Sequence, residues 1–279
     1  MKKGISIWSF SGRTLEENFR LAKQAGFDGV EIALDETGEL SLASTEEDIK
    51  KIKVAADRAG IALYSVASGL YWKYSLSSDD EAMRNKAKAC VRKQLEVAAL
   101  LGCDTVLIVP GAVSVSFSPE LGVTDYDVVY ERSLAALKEL ARDAERLKVS
   151  IGIENVWNNF LLSPLEMRDF IDKIGSDYVG SYFDVGNVLY CGYPEQWIKI
   201  LGKRIKKVHF KDYRRAVGSL DGFVDLLAGD VDWKTVKAAF DAIGYDGWVT
   251  GEMIPPYAQY GETILYNTSN AMDKIIGRK

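Results

Sequence analysis

The sequence predicts an α/β protein, a single (β/α)8 barrel domain in which eight parallel strands alternate with helices over residues 1–279. Three observations predict this fold class. The chain has 279 residues, 47% of them hydrophobic, which is enough for one large core. Eight short apolar runs alternate with amphipathic stretches, and no linker or low-complexity segment interrupts them. The junctions repeat the same helix-stop and helix-start signals.

The candidate strands are short runs rich in β-branched and aromatic residues. Asp104–Val109 is almost continuously apolar, which is typical of a parallel strand buried on both faces. Helical periodicity fills intervals such as 130–147 and 233–243. The alternative, an open doubly wound sheet, would often carry a glycine-rich phosphate loop after its first strand, and Trp8–Gly12 is not such a loop. The predicted strands are residues 4–8, 29–34, 61–67, 104–109, 149–154, 178–184, 206–211 and 247–252.

A glycine followed two residues later by aspartate recurs where predicted helices end. Such a glycine takes the left-handed conformation that ends a helix before a tight turn into a strand. Gly60 and Gly202 are expected to act in the same way with different neighbours. The motif begins at Gly26, Gly102, Gly175 and Gly244.

Capping boxes mark the predicted starts of helices. In a capping box a hydroxyl accepts a hydrogen bond from the amide three residues on, and the acidic side chain there accepts one in return. Pro164 fits the first helical position, where its missing N–H has no cost. The predicted boxes are Thr14–Glu17, Ser44–Glu47, Ser78–Glu81 and Ser163–Glu166.

Charge and cysteine content narrow the class of protein. The formal net charge of −5 gives no general basic field, so nucleic acid is not an expected partner. Cys90, Cys103 and Cys191 are scattered without Cys-x-x-Cys spacing, which favours free thiols in a reduced compartment. No apolar run reaches membrane-spanning length, and no signal-peptide pattern is recognised. We therefore expect a cytoplasmic protein with no membrane partner.

Residues with metal-binding chemistry stand at the predicted C-terminal ends of the last four strands. Glu154, Asp184, His209 and Glu252 each lie where apolar strand gives way to loop, and a barrel builds its active site at that end. Adjacent parallel strands lie about 4.8 Å apart, so these side chains can converge on one ion. A single strand-end carboxylate is often a helix cap or ion-pair partner, and a lone histidine is often a core residue. All four at one layer favour a divalent metal site, for Mn²⁺, Mg²⁺, Co²⁺ or catalytic Zn²⁺.

The segments around these residues carry a family resemblance. They are Ile153–Trp157, Phe183–Asn187, Val208–Asp212 and Gly251–Met253, with further similarity at Gly26–Glu31 and Gly229–Trp233. They resemble the xylose-isomerase-like TIM-barrel sugar (phosphate) isomerases and epimerases, which include ketose 3-epimerases and pentulose-phosphate 3-epimerases. The resemblance covers nearly the whole chain.

The resemblance implies roles for individual residues. Glu154, Asp184, His209 and Glu252 would bind one divalent metal ion, with Mn²⁺ favoured. Glu154 and Glu252 would also be the acid–base pair of the reaction.

Four further residues are candidates for substrate binding. The resemblance places a substrate-binding arginine at Arg215, with Arg214 as the alternative. Asn187 and Lys211 lie beside the ligand motifs, where they would contact substrate or support the ligands. Trp8 lies near the end of strand 1 and would form an apolar wall over the sugar or pack within a loop, as would Tyr71 and Trp72.

The sequence departs from the free-ketohexose epimerases at two positions. Those enzymes tend to carry histidine where this chain has Asn187, and glutamate where it has Phe160. The departures favour the sugar-phosphate branch and leave open whether the substrate is phosphorylated.

These features predict a metal-dependent sugar or sugar-phosphate isomerase or epimerase, with 3-epimerase chemistry favoured. A proton would leave the carbon beside a ketose carbonyl, giving an enediolate, and return to the opposite face. Return to the neighbouring carbon would instead give aldose–ketose isomerisation. The expected partner is a small carbohydrate, and a homo-oligomer is left open.

Three other functions are weighed against this prediction. A lyase of the inosose-dehydratase type would expel a β-hydroxyl from the same enolate. An AP endonuclease resembling endonuclease IV would need several histidines for three zinc ions, and this chain has one histidine. A barrel that binds sugar without turnover would not need the ligand quartet.

Overall fold

Eight parallel strands close into a barrel in the computed structural model, which describes residues 1–278. Around the barrel the strands follow the order β1-β10-β7-β6-β5-β4-β3-β2, which confirms the predicted (β/α)8 architecture. Two short strands, β8 (Asp212–Tyr213) and β9 (Phe223–Val224), form a separate antiparallel ribbon in the loop after β7. The barrel strands are β1 (Lys2–Ser6), β2 (Gly29–Ala33), β3 (Ala62–Ala67), β4 (Thr105–Ile108), β5 (Ser150–Glu154), β6 (Val179–Asp184), β7 (Ile205–Phe210) and β10 (Trp248–Gly251).

Helices connect successive strands and cover the outside of the barrel. Their apolar faces pack against the outward-facing side chains of the strands, so the core lies both inside the barrel and in the layer between strands and helices. The α-helices are α1 (Leu15–Gln24), α2 (Glu46–Ala59), α3 (Glu81–Leu101), α4 (Tyr126–Leu147), α5 (Pro164–Ile174), α6 (Val185–Leu189), α7 (Pro194–Leu201), α8 (Trp233–Ala242) and α9 (Thr263–Ile276).

The first strand begins two residues earlier than predicted. It runs from Lys2 to Ser6, and Ile7–Ser9 forms a 3-10 turn instead of strand. Lys3 is buried in this strand, because its ammonium has partners on α9. The Lys3 Nζ lies 2.9 Å from Ser269 Oγ and 2.6 Å from the Asp273 carboxylate. The other seven strands agree with prediction to within one residue at each end.

The glycines predicted to end helices have the expected backbone. Gly26, Gly102, Gly175 and Gly244 have φ values of 90°, 80°, 76° and 69°, a region that L-residues with a Cβ rarely adopt. Gly202 differs, because its φ of 53° is combined with a ψ of −127°, and the chain continues there into a 3-10 turn.

Two of the four predicted capping positions are confirmed and two are wrong. Thr14 forms the full box with Glu17. Ser163 caps α5 by accepting from the Glu166 amide, while the Glu166 carboxylate accepts from the amide of Leu162 instead of that of Ser163.

The second and third helices begin later than predicted. Thr45, with Asp48, forms the box of α2 that was assigned to Ser44, whose hydroxyl accepts from the Ser41 amide instead. Asp80 caps α3 in place of Ser78, because an aspartate directly before the helix reaches the free amide of Ala82.

Among residues 1–278, no helix combines the length and the apolar character needed to cross a membrane.

Candidate metal centre

Four polar side chains meet at the C-terminal mouth of the barrel, as predicted. Glu154 and Asp184 are the last residues of β5 and β6, His209 lies one residue before the end of β7, and Glu252 directly follows β10. The register pairs His209 with Asp184 on one neighbouring strand and with Thr250, two residues before Glu252, on the other. Glu154 pairs with Tyr182, two residues before Asp184, so each of the four residues lies within two residues of its neighbour in register. All four are buried, with at most 7% of each residue exposed.

The side-chain distances fit a shared ligand. One potential ligand atom from each residue lies within 4.8 Å of the others. His209 Nδ1 is 3.3 Å from Glu154 Oε1, 3.3 Å from Glu252 Oε2 and 3.8 Å from Asp184 Oδ2. Ligand atoms about 2.1 Å from a tetrahedral ion lie about 3.4 Å from one another. The three separations from His209 Nδ1 therefore lie within about 0.4 Å of the spacing between ligand atoms around a small divalent cation.

Three of these atoms lack a hydrogen-bond partner within the described part of the chain. They are Asp184 Oδ2, His209 Nδ1 and Glu252 Oε2, and all are buried. Buried polar atoms normally have partners, because leaving one unpaired costs about 1–3 kcal/mol and more for a charged group. None of the three has a hydrogen bond, although the Lys211 ammonium lies at ion-pair distance from Asp184 Oδ2 and Glu252 Oε2. Carboxylate and imidazole atoms gathered around one point in this way fit a divalent metal ion.

The ammonium of Lys211 acts as a stand-in cation at this point. Its Nζ lies 3.2 Å from Asp184 Oδ2 and forms a second ion pair with Glu252. Lys211 is two residues beyond His209 and only 16% of its side chain is exposed. The cluster therefore attracts positive charge, and the lysine predicted to bind substrate pairs with two of the four candidate ligands.

The carboxyl groups of the cluster differ in acidity. Burial raises the pKa of Glu154, and the neighbouring Glu252 carboxylate raises it further. Burial also acts to raise the pKa of Glu252, but Lys211 and His209 outweigh it and hold this pKa below its ordinary value. Burial raises the pKa of Asp184 in spite of Lys211. The two glutamates that flank the site thus have opposite tendencies to hold a proton.

A buried network that sequence reasoning missed fixes the imidazole. The Glu31 Oε1 atom lies 3.0 Å from His209 Nε2, and both side chains are fully buried. The Tyr182 hydroxyl donates to Glu31 and lies 3.1 Å from Ser65 Oγ. Burial acts to lower the pKa of His209, but Glu31 and Glu252 raise it well above its ordinary value. With Nε2 held by Glu31, Nδ1 faces the other three candidate ligands, as in metal sites where a carboxylate orients the histidine.

Asn155 and Asn187 fix the end of β6. The Asn155 side chain donates to the carbonyl of Asp184 at 2.8 Å and accepts from its amide at 2.9 Å. The Asp184 Oδ1 atom caps the short helix α6 by accepting from the Asn187 amide at 2.7 Å. The Asn187 side chain donates to the Asn155 carbonyl. Asn187, predicted to touch substrate, is thereby placed beside a ligand and supports its backbone.

The two remaining predicted substrate residues, Trp8 and Arg215, pack against other residues of the fold. Trp8 is partly buried in the 3-10 turn after β1, where it packs against Ala67, Leu107 and Tyr182. Arg215 is exposed, donates to the Gly192 carbonyl at 2.7 Å, and lies over the Tyr193 ring.

Of the two aromatic residues after β3, Tyr71 packs inside the fold, which is the alternative to a wall over the mouth. Tyr71 is buried, and its hydroxyl donates to Gln94 on α3, which in turn donates to carbonyls of β3 and β4. Its ring therefore lies between strands and helix. Trp72 is partly buried and makes an edge contact with Phe117.

Comparison with known proteins gives a family match. The sequence model of the family described as Xylose isomerase-like TIM barrel matches residues 19–268. Among individual sequences, the chain is 25% identical over 281 residues to the L-ribulose-5-phosphate 3-epimerase UlaE of Salmonella paratyphi C (strain RKS4594). That match covers 96% of this chain and 91% of UlaE.

Solved structures share the fold at low identity. A D-psicose 3-epimerase, crystallised in the presence of D-fructose, matches with a TM-score of 0.81 and 20% identity, over 99% of this chain and all of that one. The IOLI protein, crystallised with a bound zinc atom, matches with a TM-score of 0.81 and 18% identity, over 100% of this chain and 99% of that one.

Proposed function

The chain belongs to the xylose isomerase-like TIM barrel family, and on that basis we propose that it is a metal-dependent sugar isomerase or epimerase. The favoured reaction is epimerisation, which inverts the carbon next to a ketose carbonyl. The observation that carries the proposal is the convergence of Glu154, Asp184, His209 and Glu252 at the barrel mouth. Curated relatives named as L-ribulose-5-phosphate 3-epimerases support it.

The four convergent residues would hold one divalent cation. Mn²⁺ is favoured because three carboxylates and one imidazole form a hard, oxygen-rich donor set. When bound, such an ion supplies Lewis acidity toward the carbonyl oxygen and a neighbouring hydroxyl of the sugar. His209 holds its place through Glu31, and Asp184 through Asn155 and Asn187.

Glu154 and Glu252 are the proposed acid and base. Glu252 is ionised, because positive charge beside it lowers its pKa, as Lys211 and His209 do in this structure and a bound cation would do in their place. It accepts a proton from the carbon beside the carbonyl. Glu154, whose pKa burial raises, is able to hold a proton at its carboxyl oxygen and deliver it to the opposite face. Two carboxyl groups whose surroundings separate their acidities are a common acid–base arrangement. In the reverse reaction their roles exchange.

The experiment is proton exchange measured by NMR in heavy water. Purified protein, stripped with chelator and reloaded with Mn²⁺, is incubated with a panel of ketoses and ketose derivatives. We expect deuterium to enter the third carbon of a substrate together with formation of its epimer. A product lighter by one water would assign the chain to the lyases instead. Binding without exchange across the panel would contradict enzymatic turnover.

A further inference from the structure

A large cavity adjoins the quartet at the barrel mouth. Its volume is about 820 Å³, and loops that follow β4, β5, β6 and β7 form its walls. Asn155 and Asn187, which hold Asp184 in place, belong to its lining. The cavity therefore shares Asn155 and Asn187 with the candidate metal centre. None of the four candidate ligands themselves lines it.

We propose that this cavity binds an uncharged glycosyl group attached to the ketose, so that the substrate is a ketose glycoside and not a ketose phosphate. This inference rests on the proposed function, because the ketose half of the glycoside would react at the candidate metal centre. It adds a second sugar-binding subsite outside the metal centre.

The size of the cavity exceeds what a free ketose needs. Cavities of roughly 300–1,000 Å³ hold drug-sized ligands and bury most of their surface. A monosaccharide whose reacting carbons lie at the quartet would leave most of the 820 Å³ unfilled. A second sugar ring joined to the ketose would extend into this space.

The charge of the lining disfavours a phosphate. Among the lining residues, all of them within residues 1–278, none is lysine, arginine or histidine, and Asp221 adds a carboxylate. Arg215 and Lys211 do not line the cavity: the Arg215 guanidinium donates to Gly192 and lies over Tyr193, and the Lys211 ammonium pairs with the quartet. A buried or half-buried phosphate is commonly neutralised by arginine or lysine, and the lining supplies neither.

The lining offers surfaces that suit a sugar ring. Trp157 and Tyr190 are in contact, with ring centroids 4.9 Å apart, and Tyr190 remains 54% exposed. Aromatic faces pack against the C–H groups of a pyranose, while side chains such as Asn159 and Ser219 provide hydrogen bonds to hydroxyls. Leu220, 41% exposed, adds an apolar surface at the rim.

The wall after β5 is held in a defined conformation. Asn159 and Leu161 have positive φ values of 53° and 54°, which are unusual for residues with a Cβ. The Asn158 side chain anchors this segment by donating to Gly111, and the Tyr126 hydroxyl accepts from the Leu161 amide. Such conformations persist where the surroundings enforce them, so this wall of the cavity has one defined backbone conformation.

Three matched probes test the proposal. D-Fructose, D-fructose 6-phosphate and isomaltulose share one ketose, and the last two carry a phosphoryl or a glucosyl group on the same oxygen. Binding of each to Mn²⁺-loaded protein is measured by titration calorimetry. We expect isomaltulose to bind about tenfold more tightly than either other probe, a difference of about 1.4 kcal/mol. Tighter binding of fructose 6-phosphate, or equal binding of all three probes, would overturn the proposal.

An alanine substitution locates the binding. Tyr190→Ala removes an exposed ring from the cavity and is expected to weaken isomaltulose about fivefold while leaving fructose unchanged. Tyr266→Ala is the matched control, because Tyr266 is 40% exposed on α9 and does not line the cavity. Equal affinity of Tyr190→Ala and wild type for isomaltulose would contradict the assignment. Dissociation of a dimer on this substitution, seen by sedimentation, would show that a second copy covers the rim and would also contradict it.

The Cys191 thiol gives an independent readout. It lines the cavity and is exposed, whereas Cys90 and Cys103 are buried. Isomaltulose is expected to slow alkylation of Cys191 and fructose is not, and equal rates with both sugars would count against the cavity. These binding and labelling measurements need no turnover. Failure of the proposed function, seen as absence of deuterium exchange, is therefore distinguishable from failure of the subsite.

Discussion

At the scale of single residues, the central feature is an imidazole held by carboxylates on two sides. Glu31 fixes His209 Nε2 at 3.0 Å, and His209 Nδ1 faces Glu154 and Glu252. Glu31 would not touch the ion. The effect of removing its charge on metal affinity therefore measures how much the orientation and basicity of the His209 imidazole contribute to metal binding.

Glu31→Gln is expected to weaken Mn²⁺ binding about tenfold to a hundredfold, because an amide is a weaker acceptor for the imidazole N–H. The affinity is measured by calorimetric titration of Mn²⁺ into stripped protein. Tyr182→Phe serves as the control, since it removes the hydroxyl that donates to Glu31 and leaves the contact between Glu31 and His209. An unchanged Mn²⁺ affinity in Glu31→Gln, with a lowered melting temperature, would assign Glu31 to stability alone.

Glu154→Gln and Glu252→Gln are expected to lower kcat about a hundredfold to ten-thousandfold each, because an amide neither accepts nor delivers the proton. The circular dichroism spectrum should stay that of the wild type. Glu120→Gln, an exposed glutamate in the loop before α4, is the matched control and should retain full activity. Near-normal kcat in either of the first two variants would disprove the two-carboxylate scheme.

The sequence pattern identified the functional residues at strand ends more readily than those within strands. Glu154, Asp184, His209 and Glu252 were predicted to converge because each follows an apolar run, and the structure brings them together. Glu31 was missed, although an acidic residue inside the apolar run Gly29–Ala33 is a signal in itself. The position of Arg215 depends on loop conformation, which no local pattern determines.

At the scale of elements, one carboxylate organises the loop between β7 and α8. Asp212 is fully buried and accepts hydrogen bonds from the amides of Tyr213, Leu227 and Val231 and from the indole of Trp233. A Cβ at Gly229 would overlap this carboxylate. The loop that carries Lys211, Arg215 and the rim of the cavity therefore depends on Asp212.

Asp212→Asn is expected to lower the free energy of unfolding by about 2–3 kcal/mol, because an amide replaces one accepting oxygen with a donor that faces other donors. Urea denaturation followed by circular dichroism measures the change. Asp241→Asn is the control, since Asp241 is 59% exposed in a surface ion pair with Lys237 and should change stability by less than about 1 kcal/mol. A loss in Asp212→Asn no larger than in this control would refute the role of Asp212.

Regular elements were predictable because local signals and tertiary packing agree. Seven strands were located to within one residue at each end, since apolar runs bounded by glycine turns have few other arrangements in a barrel. Helix starts were less predictable because adjacent hydroxyl and carboxylate residues compete for the capping position, as Ser44 and Thr45 do. The antiparallel ribbon of β8 and β9 was not foreseen, because two-residue strands leave no periodic pattern.

At the scale of the whole molecule, a cation at the barrel mouth would join four strands. The ligands come from β5, β6, β7 and the end of β10, which are consecutive in the closed sheet. Folding as one domain over residues 1–279, a cytoplasmic location and assembly into a homo-oligomer stay predictions. A single cooperative unfolding transition of the purified chain is expected for one domain.

Removal of metal is expected to abolish activity and lower the melting temperature. An ion present at about a hundred times its Kd stabilises a fold by about 2.7 kcal/mol, which corresponds to about 5–10 °C for a chain of this size. Scanning calorimetry with EDTA, and again after Mn²⁺ is restored, measures the shift. Asp184→Asn removes the charge of one candidate ligand, so EDTA should lower the melting temperature of this variant less than that of the wild type. An equal decrease in the variant and the wild type would place the ion elsewhere.

The most direct test of the metal centre is anomalous diffraction from crystals of the Mn²⁺-loaded protein. We expect one peak about 2.0–2.2 Å from a carboxylate oxygen of Glu154, Asp184 and Glu252 and from His209 Nδ1, with the Lys211 ammonium moved away from the quartet. A map without a peak at this position, in which Lys211 still pairs with Asp184 and Glu252, would contradict the account.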